Sequence, residues 1–379
     1  MRIVDVNICS PILNIADHWA DLAGRAPANV FMNPVALNVA HEASFAKVHV
    51  LLAWDRSAEP KKLVGLWALA DVSITALWPT FLAGPPYNYA FLSGPVVDHA
   101  YMDEVMPAFF DAIEQHPSLP NVIRLRYLDG DSEIYEPMRK ALAARGSHSL
   151  VLSQRTRPFV TTEFGLKTSG STRKKMRQDW NRLSSLGSVD VVNDRAPAQV
   201  REAFEIFLLM EAESWKGARG TALLCSTKDA AFTRHFVSNL AAQQNASVAL
   251  LRVDGQPVAA QVLLYSAAMA YTWKTAFDSE YAKYSPGALL VDRVTEMLFA
   301  SGQVKAIESC SPEGSFMANM WDGRRQTVDL LVDVGARKSL SFDMTAFGER
   351  GYAQLRGLRN KLRSVWSGQS KKKGVAASR

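Results

Sequence analysis

Along this chain, runs of unbroken or alternating apolar residues give way to stretches with apolar residues every three or four positions, the patterns of strands and of amphipathic helices. In the first half, Lys62-Leu-Val-Gly-Leu-Trp-Ala-Leu-Ala70 predicts a buried strand, Val105 to Ile113 part of a helix, and Asn121-Val-Ile-Arg-Leu-Arg-Tyr127 a second strand. A helix over Ser132 to Ala144, stopped by Gly146, and a strand over Ser149 to Arg155 follow. In the second half, Ser247 to Val253 and Pro257 to Tyr265 flank Asp254-Gly255, a strong hairpin signal. Met269 to Phe277 extends that sheet. A helix over Leu289 to Phe299, a strand over Val304 to Glu308, a short helix near Phe316 and a strand over Thr327 to Val332 complete the order. The halves share this order at an offset of roughly 180 to 190 residues without evident identity, which predicts a structural duplication.

Between the halves, Thr168 to Gly187 predicts an amphipathic helix: Ser and Thr cap its start, Met176, Trp180 and Leu183 fall at spacings of four and three, and Gly187 ends it. Its outer face is basic. A second helix starts at Pro197, suited to a first helical position, and runs to Trp215 before Gly217. Its apolar stripe is Val200, Phe204, Leu208 and Trp215, with Glu211 on the same face. Such a carboxylate is either salt-bridged at a seam or faces a cleft as a general base.

Charge changes the picture in one place. The net charge of +6 looks like a polyanion signal, but residues 350–379 hold nine Lys/Arg and no acid, leaving the preceding 349 residues at −3. Basicity is confined to one terminal segment, which argues against DNA binding by the body. In that segment Tyr352 to Trp366 puts Leu355, Leu358, Leu362, Val365 and Trp366 on one side of a helix, with Arg356, Arg359, Lys361 and Arg363 around the other. This is either a helix docked on the body with a loose tail or an interfacial helix drawn to anionic headgroups. Three scattered cysteines, Cys9, Cys225 and Cys310, form neither a disulfide framework nor a zinc pattern, and no His pair has metal-ligand spacing. No metal is expected. With no run near the roughly 18 apolar residues of a membrane span, the expectation is a soluble, cytoplasmic protein.

The segment Tyr281-Ala-Lys-Tyr-Ser-Pro-Gly-Ala-Leu-Leu290 joins a strand to a helix. The first turn of a helix has N–H groups without carbonyl partners, so Ser285, Pro286, Gly287, Ala288 and Leu289 are the candidate cradle for a diphosphate, or an ordinary turn. Tyr281 and Tyr284 are candidate proton donors to a leaving thiolate, or simply pack beside the turn. Lys274 alternates with Tyr271, Trp273 and Thr275 along its strand and is a candidate for neutralising a substrate anion. Glu308, at a strand end beside Cys310 and Ser311, is a second candidate base. Ser171-Thr-Arg-Lys174 fits a Ser-x-x-Lys pattern but lacks the companion motifs of serine acylases, and no Gly-x-Gly-x-x-Gly or Walker sequence supports a dinucleotide or NTP site.

On Arg173 to Gly187, Glu213-Ser-Trp-Lys-Gly217, Ala259-Ala-Gln-Val-Leu, Trp273-Lys-Thr-Ala-Phe-Asp278 and Ser285-Pro-Gly-Ala-Leu-Leu290, the second half resembles the GNAT acyltransferase superfamily, in particular its CelD-type branch associated with cellulose and exopolysaccharide biosynthesis. The first half would be a degenerate copy, as in FemAB-type transferases. The resemblance implies an α/β fold of two tandem GNAT-like domains, each a mixed, mostly antiparallel sheet flanked by helices. Residues 1–160 would form the degenerate domain, 161–340 the acyltransferase domain, and 341–379 a basic helix and tail. It implies acetyl-CoA as cosubstrate and an amine or hydroxyl acceptor, with Trp215, Lys216, Lys274 and Asp278 near the substrate, and contact of the basic C-terminus with a membrane or a polysaccharide synthase. The superfamily's Gln/Arg-x-x-Gly-x-Gly/Ala loop is matched here only by the last glycine of Ala282-Lys-Tyr-Ser-Pro-Gly287. Two alternatives stay open: aminoacyl transfer from charged tRNA, gripped by the basic Arg173 to Arg182 helix, and a catalytically silent accessory protein of polysaccharide synthesis.

Overall fold

A computed structural model describes residues 3–11, 14–75 and 78–356. The part of the C-terminal helix expected beyond Arg356 lies outside the described residues. Thirteen strands follow in chain order: β1 (Val4–Cys9), β2 (Val48–Asp55), β3 (Lys62–Val72), β4 (Phe81–Gly84), β5 (Val96–Val97), β6 (Val122–Asp129), β7 (His148–Thr161), β8 (Val189–Val192), β9 (Ala246–Val253), β10 (Gln256–Ser266), β11 (Met269–Phe277), β12 (Ala306–Glu308) and β13 (Arg324–Asp333). The named helices are α1 (Ala16–Ala23), α2 (Pro34–Glu42), α3 (Met102–Gln115), α4 (Tyr135–Ala144), α5 (Ser171–Ser184), α6 (Pro197–Glu213), α7 (Trp215–Ala218), α8 (Thr227–Ala242), α9 (Pro286–Ala300) and α10 (Met317–Met320). Residues 340–356 are also helical.

The strands form one mostly antiparallel sheet in the order β1-β2-β3-β4-β6-β13-β7-β12-β11-β10-β9-β8, with β5 paired to β3. The duplication is visible in it. Each half lays down an antiparallel meander, then a helix, then a parallel neighbour: β4 with β6, and β11 with β12. The halves also exchange their last strands, since β13 lies between β6 and β7 while β7 lies between β13 and β12. The expected boundary near residue 160 therefore falls at the end of a strand that pairs with strands of both halves. In the hairpin, Asp254 (φ 49°) and Gly255 (φ 80°) take the left-handed conformations that a two-residue turn requires.

Helices cover both faces. In the second half, α6 and α8 bury Phe204, Phe207, Phe232 and Phe236 on one face, whereas α5, α9 and α10 bury Met176, Leu183, Leu290 and Met317 on the other. The helix expected from Pro197 to Trp215 ends earlier. Ser214 is extended (φ −79°, ψ 178°) and caps the short α7 by accepting from the Lys216 N–H at 3.2 Å, so Trp215 leaves the apolar stripe and is 57% exposed.

Candidate active site

β11 and β12 pair only from Met269 with Ala306 to Tyr271 with Glu308, and then part. At the same level β10 and β11 slip register: Val262 faces Lys274 and Leu263 faces Thr272, leaving Trp273 as the extra residue of a bulge. The bulge overrides simple alternation. Trp273 and the following Lys274 both turn to the α6 side, with the Lys274 ammonium 5.6 Å from the Trp273 ring and 4.9 Å from that of Tyr89. Lys274, expected on the face opposite the aromatic residues, thus joins them.

On the α9 side, β11 leads into a 3-10 turn, Ser279–Tyr284, capped by the Asp278 carboxylate, which accepts from the Glu280 N–H at 2.9 Å. Asp278, expected near the substrate, has this capping role. Ser285 is left-handed (φ 55°, ψ 44°) and Pro286 opens α9. The Ser285 N–H donates to the Ala282 carbonyl, and the Ala288 and Leu289 N–H groups donate to the Ser285 carbonyl at 3.0 and 3.1 Å. Pro286 has no N–H. Of the five residues expected to cradle a diphosphate, Gly287 alone retains an N–H outside these bonds. Its missing side chain also serves packing, because a Cβ there would lie 3.3 Å from Phe277 Cδ1 and 3.5 Å from Thr275 Cγ2.

The charge that the turn lacks comes from α5. Arg173 pairs with Asp292 of α9, and Met176 and Leu183 share a core with Tyr284 and Leu289, which holds α5 along α9. Lys175 Nζ lies 3.1 Å from Ser285 Oγ, and Arg182 donates to the Lys283 carbonyl at 3.4 Å. Arg182 and Lys283 both sit against the Tyr284 ring, at 5.3 and 5.1 Å. Buried Asp179 accepts from both Lys175 and Arg182 and fixes them in place. A cavity of about 510 Å³ runs between the two helices, lined by Arg173, Arg177, Trp180, Leu289 and Arg293 among others.

On the opposite face, Glu211 is 1% exposed. One of its carboxylate oxygens accepts from Lys216 Nζ at 2.9 Å and lies 3.8 Å from Lys274 Nζ, while the other accepts from the Leu223 N–H at 2.9 Å. Glu211, Lys216 and Lys274 thus come together beside Tyr89, but the carboxylate has its partners and is built as the anchor of two ammonium groups. Burial holds Lys274 below the ordinary lysine range, with Glu211 opposing. Burial and Asp229 beside it raise the Tyr89 phenol.

Glu308 differs. It is fully buried, and among the described residues neither carboxylate oxygen has a hydrogen-bond partner of ordinary geometry; the Cys310 N–H faces the carboxylate, and Arg157 and Arg325 approach no closer than 3.8 and 3.7 Å. Burial pushes its carboxyl up, with the two guanidinium groups opposing. Arg325 also pairs with Asp129 at 3.2 Å, and Arg157 comes from the exchanged strand β7, so first-half residues complete the surroundings of Glu308.

Residues 170–311 match the family model described as an acetyltransferase (GNAT) domain. Residues 170–311 form a GNAT-fold acetyltransferase domain. No curated protein matches the sequence. Among solved structures, FemX is 10% identical, with a TM-score of 0.59 over 86% of this chain and 96% of that one. The C-terminal domain of a protein described as a lysylphosphatidylglycerol synthetase from Agrobacterium fabrum is 13% identical, with a TM-score of 0.55 over 88% and 94%. L-PGS from Bacillus licheniformis is 13% identical, with a TM-score of 0.50 over 88% and 95%. These are likenesses of fold; the match over residues 170–311 supports an acyltransferase.

Sequence reasoning gave Lys175 and Arg182 a role only in gripping tRNA. Their spacing around Asp179, four before and three after, was the available signal that one acid orients both. Tyr89, Asp129, Arg157 and Arg325 carried no local signal, because their relation to the site exists only across the seam between the halves.

Proposed function

We propose that this protein transfers an acyl group directly from an acyl-CoA, acetyl-CoA first, to an amine or hydroxyl of a polysaccharide precursor or small metabolite in the cytoplasm. The observation that carries this reading is the junction at α9, where the opening between β11 and β12 lies beside a helix start bordered by Lys175, Arg182 and Lys283. A diphosphate there gains the Gly287 amide, the dipole of α9 and fixed cations. The thioester would extend into the opening, where a β11 amide near the bulge polarises its carbonyl. Attack by the acceptor forms the C–N or C–O bond, the C–S bond breaks, and coenzyme A leaves as thiolate. Glu308, at the foot of the opening with its carboxyl raised by burial, fits the proton acceptor better than Glu211. Tyr284 or Tyr281 would return a proton to sulfur. The exposed Trp215 indole, with Arg219 at 4.9 Å, suits the apolar face of a sugar ring.

A small diphosphate is favoured over tRNA because much of the α5 charge is engaged by Asp179 and Asp292. The test is thermal unfolding with acetyl-CoA, with thiol release followed in parallel. At about a hundred times its dissociation constant the ligand should stabilise the protein by about 2.7 kcal/mol. No shift with any acyl-CoA overturns the reading, and salt-sensitive binding of tRNA instead would favour the FemAB-type alternative. Binding without thiol release in the presence of candidate acceptors would favour the silent accessory role.

A further inference from the structure

The helix over residues 340–356 is apolar on the wrong side for a helix that merely packs on the body. Phe342, Thr345 and Ala346 are buried against the first half, and Glu349 accepts from Arg124 at 2.7 Å and Arg126 at 3.2 Å. On the opposite side Leu340, Phe347 and Leu355 are 75%, 75% and 67% exposed. At 100° per residue these three fall within an arc of about 80°, with Gly351 between them. Thirteen large apolar side chains are exposed among the described residues, and four of them, Leu340, Phe347, Tyr352 and Leu355, belong to this one helix. A solvent-facing stripe is ordinarily polar, so this one calls for a partner.

Charge selects the partner. The two acids of the helix are engaged, Asp343 by Lys338 and Glu349 by Arg124 and Arg126. Arg350 borders the apolar stripe, and among the described residues it pairs with no acid. Beyond Arg356 the sequence keeps the apolar spacing with Leu358, Leu362 and Val365, and adds seven bases without an acid. A second copy on this face would oppose two such basic segments, which like-charge repulsion disfavours. No helix among the described residues is long and apolar enough to cross a membrane.

We propose that this face lies in the headgroup boundary of an anionic lipid membrane, with Leu340, Phe347 and Leu355 reaching the acyl region and the flanking bases contacting acidic headgroups. The surface is independent of the acyl-transfer reading.

The test is co-sedimentation of the full chain with vesicles of phosphatidylcholine alone and of phosphatidylcholine with phosphatidylglycerol. Binding should require phosphatidylglycerol and fall as salt rises. The combined Leu340→Ser, Phe347→Ser and Leu355→Ser variant should lose at least roughly tenfold in partitioning, with an unchanged melting temperature because these side chains are already in water. Arg350→Gln should cost roughly fivefold. Absence of binding to the anionic vesicles at low salt overturns the proposal, as does wild-type binding by the triple serine variant. A dimer in analytical ultracentrifugation that the triple variant dissolves would also overturn it, by assigning the face to a second copy.

Discussion

The two halves meet the same structural problem, a parallel strand pair that parts, and solve it differently. In the second half β11 and β12 separate after Tyr271 and Glu308, at a bulge of one residue. In the first half β4 and β6 separate after Gly84 and Leu125, and there the chain makes an excursion, residues 85–95, before resuming as β5 alongside β3. The excursion fills the gap. Trp67 Nε1 donates to the Ser93 carbonyl at 3.0 Å, Asn29 Nδ2 to the Gly94 carbonyl at 2.7 Å, and Gly84 must be glycine because a Cβ would lie 2.9 Å from that of Ser93. The helix starts differ as well. Asp98 precedes α3 and is bound by Arg25 and Lys62, with Asp103 and Glu104 in the first turn, whereas the first turn of α9 has no acid and cations beside it. The same excursion serves its neighbour: Trp273 Nε1 donates to the Tyr89 carbonyl and Arg157 to the Phe91 carbonyl, both at 2.8 Å. One copy has become wall and support for the other.

The largest effect expected from breaking this contrast is on stability. Trp67→Ala should remove about 3–5 kcal/mol, as for other buried tryptophans, read from denaturant unfolding, while acyl-CoA affinity of the folded protein stays put. A loss below about 1 kcal/mol would mean that the excursion is not core. Next comes the donor site itself. Lys175→Gln with Arg182→Gln, which still hydrogen-bond Asp179, should weaken acetyl-CoA binding roughly tenfold in calorimetry. Asp103→Asn at the start of α3 should leave that affinity unchanged. An equal response from both helix starts would remove the functional distinction between the halves.

The smallest effect concerns pH. Glu308 sits where the first half has Leu125, and burial raises its carboxyl above the ordinary 4.5. The folded protein therefore holds this proton at pH values where the unfolded chain has released it. Its contribution to stability is full below about 4.5 and declines as pH rises toward the folded value. Glu308→Gln should flatten that limb of the melting temperature against pH, and abolish the acid limb of kcat/KM if Glu308 takes the proton. Parallel wild-type and variant curves would mean that the residue does not titrate in this window.

What the sequence determined by itself was local. Unbroken apolar runs set the buried strands, Asp254-Gly255 set the hairpin, Ser-Pro-Gly set the start of α9, and the resemblance over residues 160–335 led to the acyltransferase domain. These features depend on neighbours along the chain, where period and turn chemistry leave a direct trace. Only the tertiary structure decided that β7 and β13 are exchanged, that a bulge turns Lys274 toward Glu211, and that α5 brings Lys175 and Arg182 to the turn at Ser285. It alone separated the two candidate bases, seating Glu211 in hydrogen bonds and burying Glu308 between two guanidinium groups beyond hydrogen-bond reach. The reason is physical. A carboxylate's role is set by the dielectric and the charges around it, and those come from other elements of the fold, Lys274 on β11 for Glu211 and Arg157 on β7 for Glu308.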